Sequence, residues 1–420
     1  MGLCPLLLSF KRSPRALPKV IAWEIDSGEA QMAMNETLKP PPPLSQTGLR
    51  GAVVGDTRLS SINGEKGELI YRGLDIHDLA SSSTFEEVAY LLWFGTLPTK
   101  THLDEFRGNL NRHRALPPEL LVLLRDLPKN GTPMDALRTA VSALGLFDAK
   151  VNDMSREAQL EKALKLTALV PSILAAYHRI SQGLEPVAPD PALDTAANFL
   201  YMFTGKVPDA QAARVLDVSL ILHADHGMNA STFAAIVTAA TLSDMYAAVT
   251  SAIGALKGPL HGGANEGVIH NLLEIGDIGN VDAWVEKKFA AHEKIMGFGH
   301  AVYKAYDPRA TELKRIAKAV GASAGTTKWV EMTERMERAV WDSKQLYPNV
   351  DLYSASVYYT LGIPTSYFTP VFAISRVAGW CAHCIEQYAD NKLLRPRANY
   401  VGARGVEYPP IAQRREDVSL

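Results

Sequence analysis

Residues 231–256, "STFAAIVTAATLSDMYAAVTSAIGAL", decide the fold class, because one charge in 26 positions suits either a membrane span or the interior of a helical protein. The charge is Asp244, near the centre, where a carboxylate is costly in lipid. Ser243 beside it is a natural helix N-cap, so the stretch divides into two buried helices, the second expected to start from Ser243. Their alanine-rich faces let neighbouring helices approach closely, as in a large core or at a subunit interface.

The chain that follows, "KGPLHGGANEGV" (Lys257–Val268), first looks like a phosphate cradle. A phosphate loop ends in Gly-Lys-Ser/Thr, whereas here Lys257 precedes the glycines and no acidic magnesium ligand follows in order. What remains is His261 on a backbone that a substrate can approach closely. It lies near a helix start whose dipole favours the neutral imidazole as a hydrogen-bond donor. On the other flank, "LHADHGMNAST" (Leu222–Thr232) sets His223 and His226 three apart. That spacing suits a metal on one helix face, but the His-Glu-x-x-His pattern and a third ligand are both missing.

Further out, "IMGFGHAVYKAYDPRA" (Ile295–Ala310) holds His300, Lys304 and then Asp307-Pro308-Arg309. Asp307 reads as an N-cap and Pro308 as the first helical residue, which puts Arg309 in a first helical turn, where a carboxylate meets both a guanidinium and a helix N-terminus. "LYPNVDLYSASVYY" (Leu346–Tyr359) brackets Asp351 with apolar and aromatic residues. Arg376, in the otherwise apolar "FTPVFAISRVAGW", demands an anionic partner if buried, as does Arg395 of "LLRPRANYVG".

Composition bounds what these residues do. At 420 residues the chain suits two or three average domains, or one large helical body with a smaller partner, and its 47% hydrophobic and 21% charged residues are ordinary for a globular protein with a real core. A net charge of −2 supplies no field for nucleic acid or an anionic membrane, so an anionic ligand must be met by a few placed arginines. The three cysteines, Cys4, Cys381 and Cys384, are too few for a disulfide scaffold, and "CAHC" lies in a stretch of helical periodicity that reads as packing. Residues 1–23 are basic and free of acids, but prolines at 5, 14 and 18 argue against an amphipathic targeting helix. Residues 1–46 are expected to form a flexible extension, with Met32 or Met34 as alternative starts.

The remaining pattern is helical. "SSINGEKGELIYRG" has a turn-forming Asn63-Gly64 between short extended pieces and reads as a hairpin. Thr84 with Glu87 makes a capping box, and Thr132-Pro133 repeats that start signal. Helices are expected over 157–181, 190–204, 209–222, 282–294, 308–320, 328–347 and 372–389. No strand–helix alternation appears, which disfavours a doubly wound sheet.

Taken together, "LHADH", "GPLHGGAN", "GFGHAVYKAYDPR", "YPNVDLYS" and "FAISRVAGW" closely resemble the citrate synthase family in order and spacing, from about Leu49 to Gly402. The resemblance implies an all-α fold. A large helical domain (47–261 and 357–420, the latter with a C-terminal tail) would receive a smaller inserted helical domain (262–356), with the active site in the interdomain cleft. It implies a homodimer whose sites are completed across subunits, a cytoplasmic setting, no metal, no resident cofactor, and no nucleic-acid or membrane partner.

The resemblance also implies the chemistry: condensation of acetyl-CoA, as co-substrate, with oxaloacetate and water. Asp351 would take the methyl proton, His261 would hydrogen-bond the thioester oxygen, and His300 would polarise the ketone. His226, His300, Arg309, Arg376 and the partner's Arg395 would hold the oxaloacetate. Ile295, Met296, Gly297, Phe298, Gly299, Lys304 and Asn349 would contact CoA, and Phe372 would line the site. Three positions depart from the family pattern, Gly227 for a usual Glu, Ala355 for Gly and Thr132 for His. A 2-methylcitrate synthase acting on propionyl-CoA, and a non-catalytic CoA or carboxylate binder, are the alternatives.

Overall fold

The computed structural model describes residue 49, residues 51–300 and residues 302–414. The extension expected over 1–46 lies outside the described residues. Residues 54–395 form one compact unit. Residues 49, 51–53 and 396–414 belong to a second, in which the Tyr400 hydroxyl donates to the Ala403 carbonyl and residues Ile411–Gln413 make a single 3-10 turn.

Sixteen α-helices and one small antiparallel sheet form among the described residues. The sheet comes first, as strands β1 (Ser60–Asn63), β2 (Glu68–Tyr71) and β3 (Leu74–Asp75). Asn63 pairs with Glu68, and its side chain accepts the Lys66 N–H to close the turn, so the hairpin read from Asn63-Gly64 is present. The first half of the helical array is α1 (Ile76–Ser82), α2 (Phe85–Phe94), α3 (Lys100–His113), α4 (Pro118–Asp126), α5 (Pro133–Phe147), α6 (Arg156–Ser181), α7 (Thr195–Thr204) and α8 (Ala210–His223). The second half is α9 (Ala230–Ala239), α10 (Met245–Leu256), α11 (Ala264–Ile275), α12 (Val281–Ala290), α13 (Pro308–Ser323), α14 (Lys328–Lys344), α15 (Val350–Thr360) and α16 (Phe368–Ala389).

Local chemistry explains most boundaries. Thr84 and Glu87 exchange bonds in a full capping box at α2, Thr132 caps α5 with Pro133 at its first position, and Asp307 caps α13 ahead of Pro308. The apolar stretch 231–256 is indeed two helices, α9 and α10, which pack on each other and on α16. Their boundary needs a correction, because Asp244 rather than Ser243 caps α10 by accepting the Ala247 N–H at 3.0 Å. A carboxylate there meets the helix dipole as well as the orphan N–H, so it outcompetes the neighbouring hydroxyl. The Ser243 carbonyl instead accepts from the Tyr388 hydroxyl. Likewise the helix expected from residue 190 starts at Thr195, capped by Asp194, and Asp190 closes a turn onto the Ala192 N–H.

Helix α16 is buried from Phe368 to Ile385 and packs against α6, α9, α10, α2 and α8. Each fully buried aliphatic side chain along it contributes roughly 1.5–3 kcal/mol through area removed from water. Cys381 and Cys384 are free thiols within this packed face. Gly379 permits the closest approach, since a Cβ there would overlap the Ala224 carbonyl oxygen. The end of α8 and the segment that follows it are therefore pinned against α16. No helix among the described residues is long and apolar enough to cross a membrane.

Candidate active site

The segment after α8 is held by buried polar bonds. Asp225 is fully buried; it accepts from His383 Nε2 at 3.0 Å, from the Gly227 N–H at 3.1 Å and from the Ser60 hydroxyl. Burial works against its charge, but His383, Arg376 and Ser60 bring its carboxyl below the usual range. The anchor projects His226 from a fixed loop, with Nε2 at 3.3 Å from the Tyr303 hydroxyl and the ring centroid 5.3 Å from that of His300. Burial, and then the positive field of Arg309, push His226 far below an ordinary histidine pKa, so it is neutral.

His261 lies in the loop between α10 and α11. Its Nε2 accepts the Ser231 N–H at 3.3 Å and lies 2.9 Å from Ser231 Oγ, so Nδ1 carries the proton of the neutral ring. Burial lowers its pKa to about 4. The Thr369 hydroxyl bridges the Gly262 carbonyl and Glu266, both at 3.1 Å, and anchors the loop from α16. Lys257, which made the phosphate reading tempting, pairs with Asp135 at 2.6 Å. It borders a cavity of about 550 Å³ that also touches Thr132 and Glu266, and His261 does not line that cavity.

His300 has the complementary tautomer. The Val302 and Tyr303 N–H groups both point at Nδ1, at 2.9 and 3.0 Å, which leaves the proton on Nε2. Burial and the nearby Arg309 lower its pKa to about 4. The same segment is tied to the start of α15. Gly299 N–H donates to the Tyr347 carbonyl, and Asn349 donates from its backbone to Gly297 and from its side chain to Gly299. Asn349 also caps α15 by accepting the Asp351 N–H at 3.0 Å.

Asp351 Oδ1 is buried without a hydrogen-bond partner. Desolvation pushes this carboxyl up to about 7, against the opposing pull of Arg309 and Arg376. Both arginines are buried. Arg309 gives Nε and Nη2 to its own cap residue Asp307, at 3.0 and 2.7 Å. Arg376 donates Nε to the His223 carbonyl at 2.6 Å, lies 4.7 Å from the Phe372 ring, and has Nη1 buried with no partner. Burial lowers the Arg376 guanidinium to about 10. A buried guanidinium N–H without an acceptor is a strong demand for an anion.

His226, His300, Arg309, Arg376, Phe372 and Asp351 thus come together, and His226 also feels the field of His261. Ile295, Met296, Gly297, Phe298 and Asn349 line a separate cavity of about 310 Å³ with Phe289 and Lys344. Gly299 lies at its edge in sequence but does not line it. Lys304 is exposed and paired with Glu65 at 2.5 Å, and Arg395 is exposed beyond α16. Sequence reading missed Ser231, Tyr303, Asp225, His383 and Trp380, whose indole donates to Ser231 Oγ at 3.1 Å. All five lie inside the quoted stretches, Trp380 at the end of "FAISRVAGW" and His383 within "CAHC", but the partners they meet lie far away in sequence and carry no local signal.

Three comparisons bear on the family and the fold. A family model described as "Citrate synthase, C-terminal domain" matches residues 48–397. A citrate synthase of Haloferax volcanii is 49% identical over 373 residues, covering 87% of this chain and 98% of that protein, and a 2-methylcitrate synthase of Mycobacterium tuberculosis is 43% identical over 355 residues, covering 84% and 90%. The solved ternary complex of carboxymethyl coenzyme A and oxaloacetate with citrate synthase from the archaeon Thermoplasma acidophilum superposes with a TM-score of 0.82 at 34% identity, covering 87% of this chain and 98% of that one.

Proposed function

The chain belongs to the citrate synthase family, and we propose that it condenses acetyl-CoA with oxaloacetate and water to citrate and CoA, with Asp351, His261 and His300 carrying the reaction. The observation that carries the assignment of roles is the pairing of a buried, partnerless carboxyl near its working pH with two neutral histidines of opposite tautomer.

A thioester methyl is a weak carbon acid, so a carboxylate alone would face an enolate too unstable to persist. Asp351 accepts the methyl proton while His261 Nδ1–H donates to the thioester oxygen as negative charge gathers there. The oxaloacetate ketone faces His300, whose Nε2–H stabilises the developing alkoxide. The carbon–carbon bond gives citryl-CoA, and water then cleaves the thioester. Because both imidazoles titrate near 4, they act at neutral pH as uncharged donors.

The two substrate carboxylates meet Arg376 Nη1 and Arg309, with His226 adding a hydrogen bond and Phe372 packing beneath Arg376. CoA lies along 295–299 and Asn349, with Lys304 as a phosphate contact that must leave or share Glu65. Arg395 reaches the site of a partner subunit in a homodimer. The cleft lies between residues 262–356 and the rest of the helical body, and no resident cofactor or metal takes part. An Asp351→Ala variant that still folds is expected to lose CoA release almost entirely; parental turnover would remove Asp351 as the base.

A further inference from the structure

We infer that the β1–β2 hairpin is a positioning element for this site, gripping the His226 loop at its foot and the His300 loop at its tip so that the two histidines meet. The inference rests on the reading of His300 as the donor to the substrate ketone.

At the foot, the Ser60 hydroxyl donates to Asp225, and the Gly227 N–H donates back to Ser60 Oγ at 3.1 Å. These are the residues on either side of His226. At the tip, the Gly64 carbonyl accepts the Lys304 N–H at 2.9 Å and the Ala305 N–H at 3.3 Å. These two amides directly follow the Val302 and Tyr303 amides that fix the His300 tautomer. Four residues of extended strand, about 13 Å, therefore join two loops that lie more than seventy residues apart in sequence.

The tip fits its loop at backbone level. A Cβ at Gly64 would overlap the Val302 carbonyl oxygen, and one at Gly67, whose φ is +67°, would stand 2.5 Å from the Tyr306 carbonyl oxygen. Neither obstacle is the end of a flexible side chain, so a methyl group at either position must displace the loop. Relieving the overlap at Gly64 moves the loop by roughly 1 Å, enough to break the bonds of the 302 and 303 amides to Nδ1 and free His300 to turn or change tautomer. Hydrogen-bond geometry at a reacting centre tolerates little such movement.

The test compares Gly64→Ala with Gly108→Ala, a control at a helical position where a Cβ meets nothing. The control is expected to keep parental kinetics. Gly64→Ala is expected to raise KM for oxaloacetate and lower kcat/KM by at least about tenfold, with the thermal midpoint close to that of the control. In histidine-labelled protein, the nitrogen spectrum of His300 loses its single Nε2–H tautomer signature. Parental kinetics and an unchanged signature in Gly64→Ala would overturn the proposal. Should Gly64→Ala fail to fold, amide exchange in the parental enzyme decides. Oxaloacetate is expected to slow exchange at 302–305 and at 60–67 together, and slowing at 302–305 alone overturns the proposal. A His300→Asn variant separates the two levels. Parental turnover there removes the underlying reading, whereas an inactive His300→Asn beside an unaffected Gly64→Ala removes only the role of the hairpin.

Discussion

Ser231 presents both its backbone N–H and its hydroxyl to one nitrogen of His261, Nε2, at 3.3 and 2.9 Å. That double contact leaves the proton on Nδ1, the nitrogen to which the proposed reaction assigns the thioester oxygen. Trp380 in turn donates to Ser231 Oγ, so the hydroxyl proton is directed to His261 or to Asn229. Ser231→Ala keeps the backbone donor and removes the hydroxyl. The loss of one ordinary hydrogen bond, about 1 kcal/mol, lowers kcat several-fold to tenfold while KM for oxaloacetate changes little. Steady-state kinetics check this; a pure KM effect would place Ser231 in substrate binding instead.

The pH profile separates Asp351 from the histidines. Its carboxyl titrates at about 7, so kcat/KM rises with pH through that value as the base ionises, whereas His261 and His300, at about 4, contribute no limb there. The sign for stability is opposite. The folded state binds the Asp351 proton more tightly than the unfolded chain, so this carboxyl favours folding at acid pH, and that contribution is lost as pH rises from 3.8 through about 7. Asp351→Asn is therefore expected to be inactive yet more stable than the parent at pH 8, by up to roughly 4 kcal/mol. Denaturant titrations at pH 5 and pH 8 measure it. A destabilised Asp351→Asn at pH 8 would contradict an unpaired buried carboxylate.

Arg376 has one guanidinium nitrogen spent on the His223 carbonyl and another buried with no acceptor. In the proposed reaction an oxaloacetate carboxylate supplies the missing partner. Arg376→Lys forfeits the fork and is expected to raise KM for oxaloacetate about 10- to 150-fold, the equivalent of about 1.5–3 kcal/mol for a charge-assisted bond. Thermal shift gives a second readout, because saturating oxaloacetate stabilises the parent by mass action and the variant much less. An equal shift in both proteins would take Arg376 out of the carboxylate site.

Arg395 is exposed beyond α16, and its proposed role lies in a second subunit. Mixing inactive Arg395→Ala with inactive Asp351→Asn chains is expected to restore activity, because one site per heterodimer then holds both intact residues. Absence of complementation after verified subunit exchange would place Arg395 in its own site or outside both.

Much of this was readable because it is local. Thr84 with Glu87, Asp307 with Pro308, and the histidines within their short motifs announce themselves over three or four residues, and the structure forms them at those positions. The misplacements come from competition between neighbours of similar capping chemistry, as at Ser243 against Asp244 and Asp190 against Asp194. What no local pattern carries is the long-range wiring. Asp225 meets His383 from 158 residues away, and Trp380 meets Ser231 from 149. Arg309 is legible as a guanidinium in a first helical turn, but the bonds from two of its nitrogens to Asp307 are a side-chain pairing that the cap signal does not reveal.

The most direct measurement is thiol release from acetyl-CoA and from propionyl-CoA, each with and without oxaloacetate. The account predicts release only when oxaloacetate is present, with kcat/KM for acetyl-CoA exceeding that for propionyl-CoA by about 10- to 200-fold, the range one methylene commands in an apolar pocket. Faster turnover of propionyl-CoA would make the enzyme a 2-methylcitrate synthase, and no oxaloacetate-dependent release from either thioester would contradict catalysis by Asp351, His261 and His300 altogether.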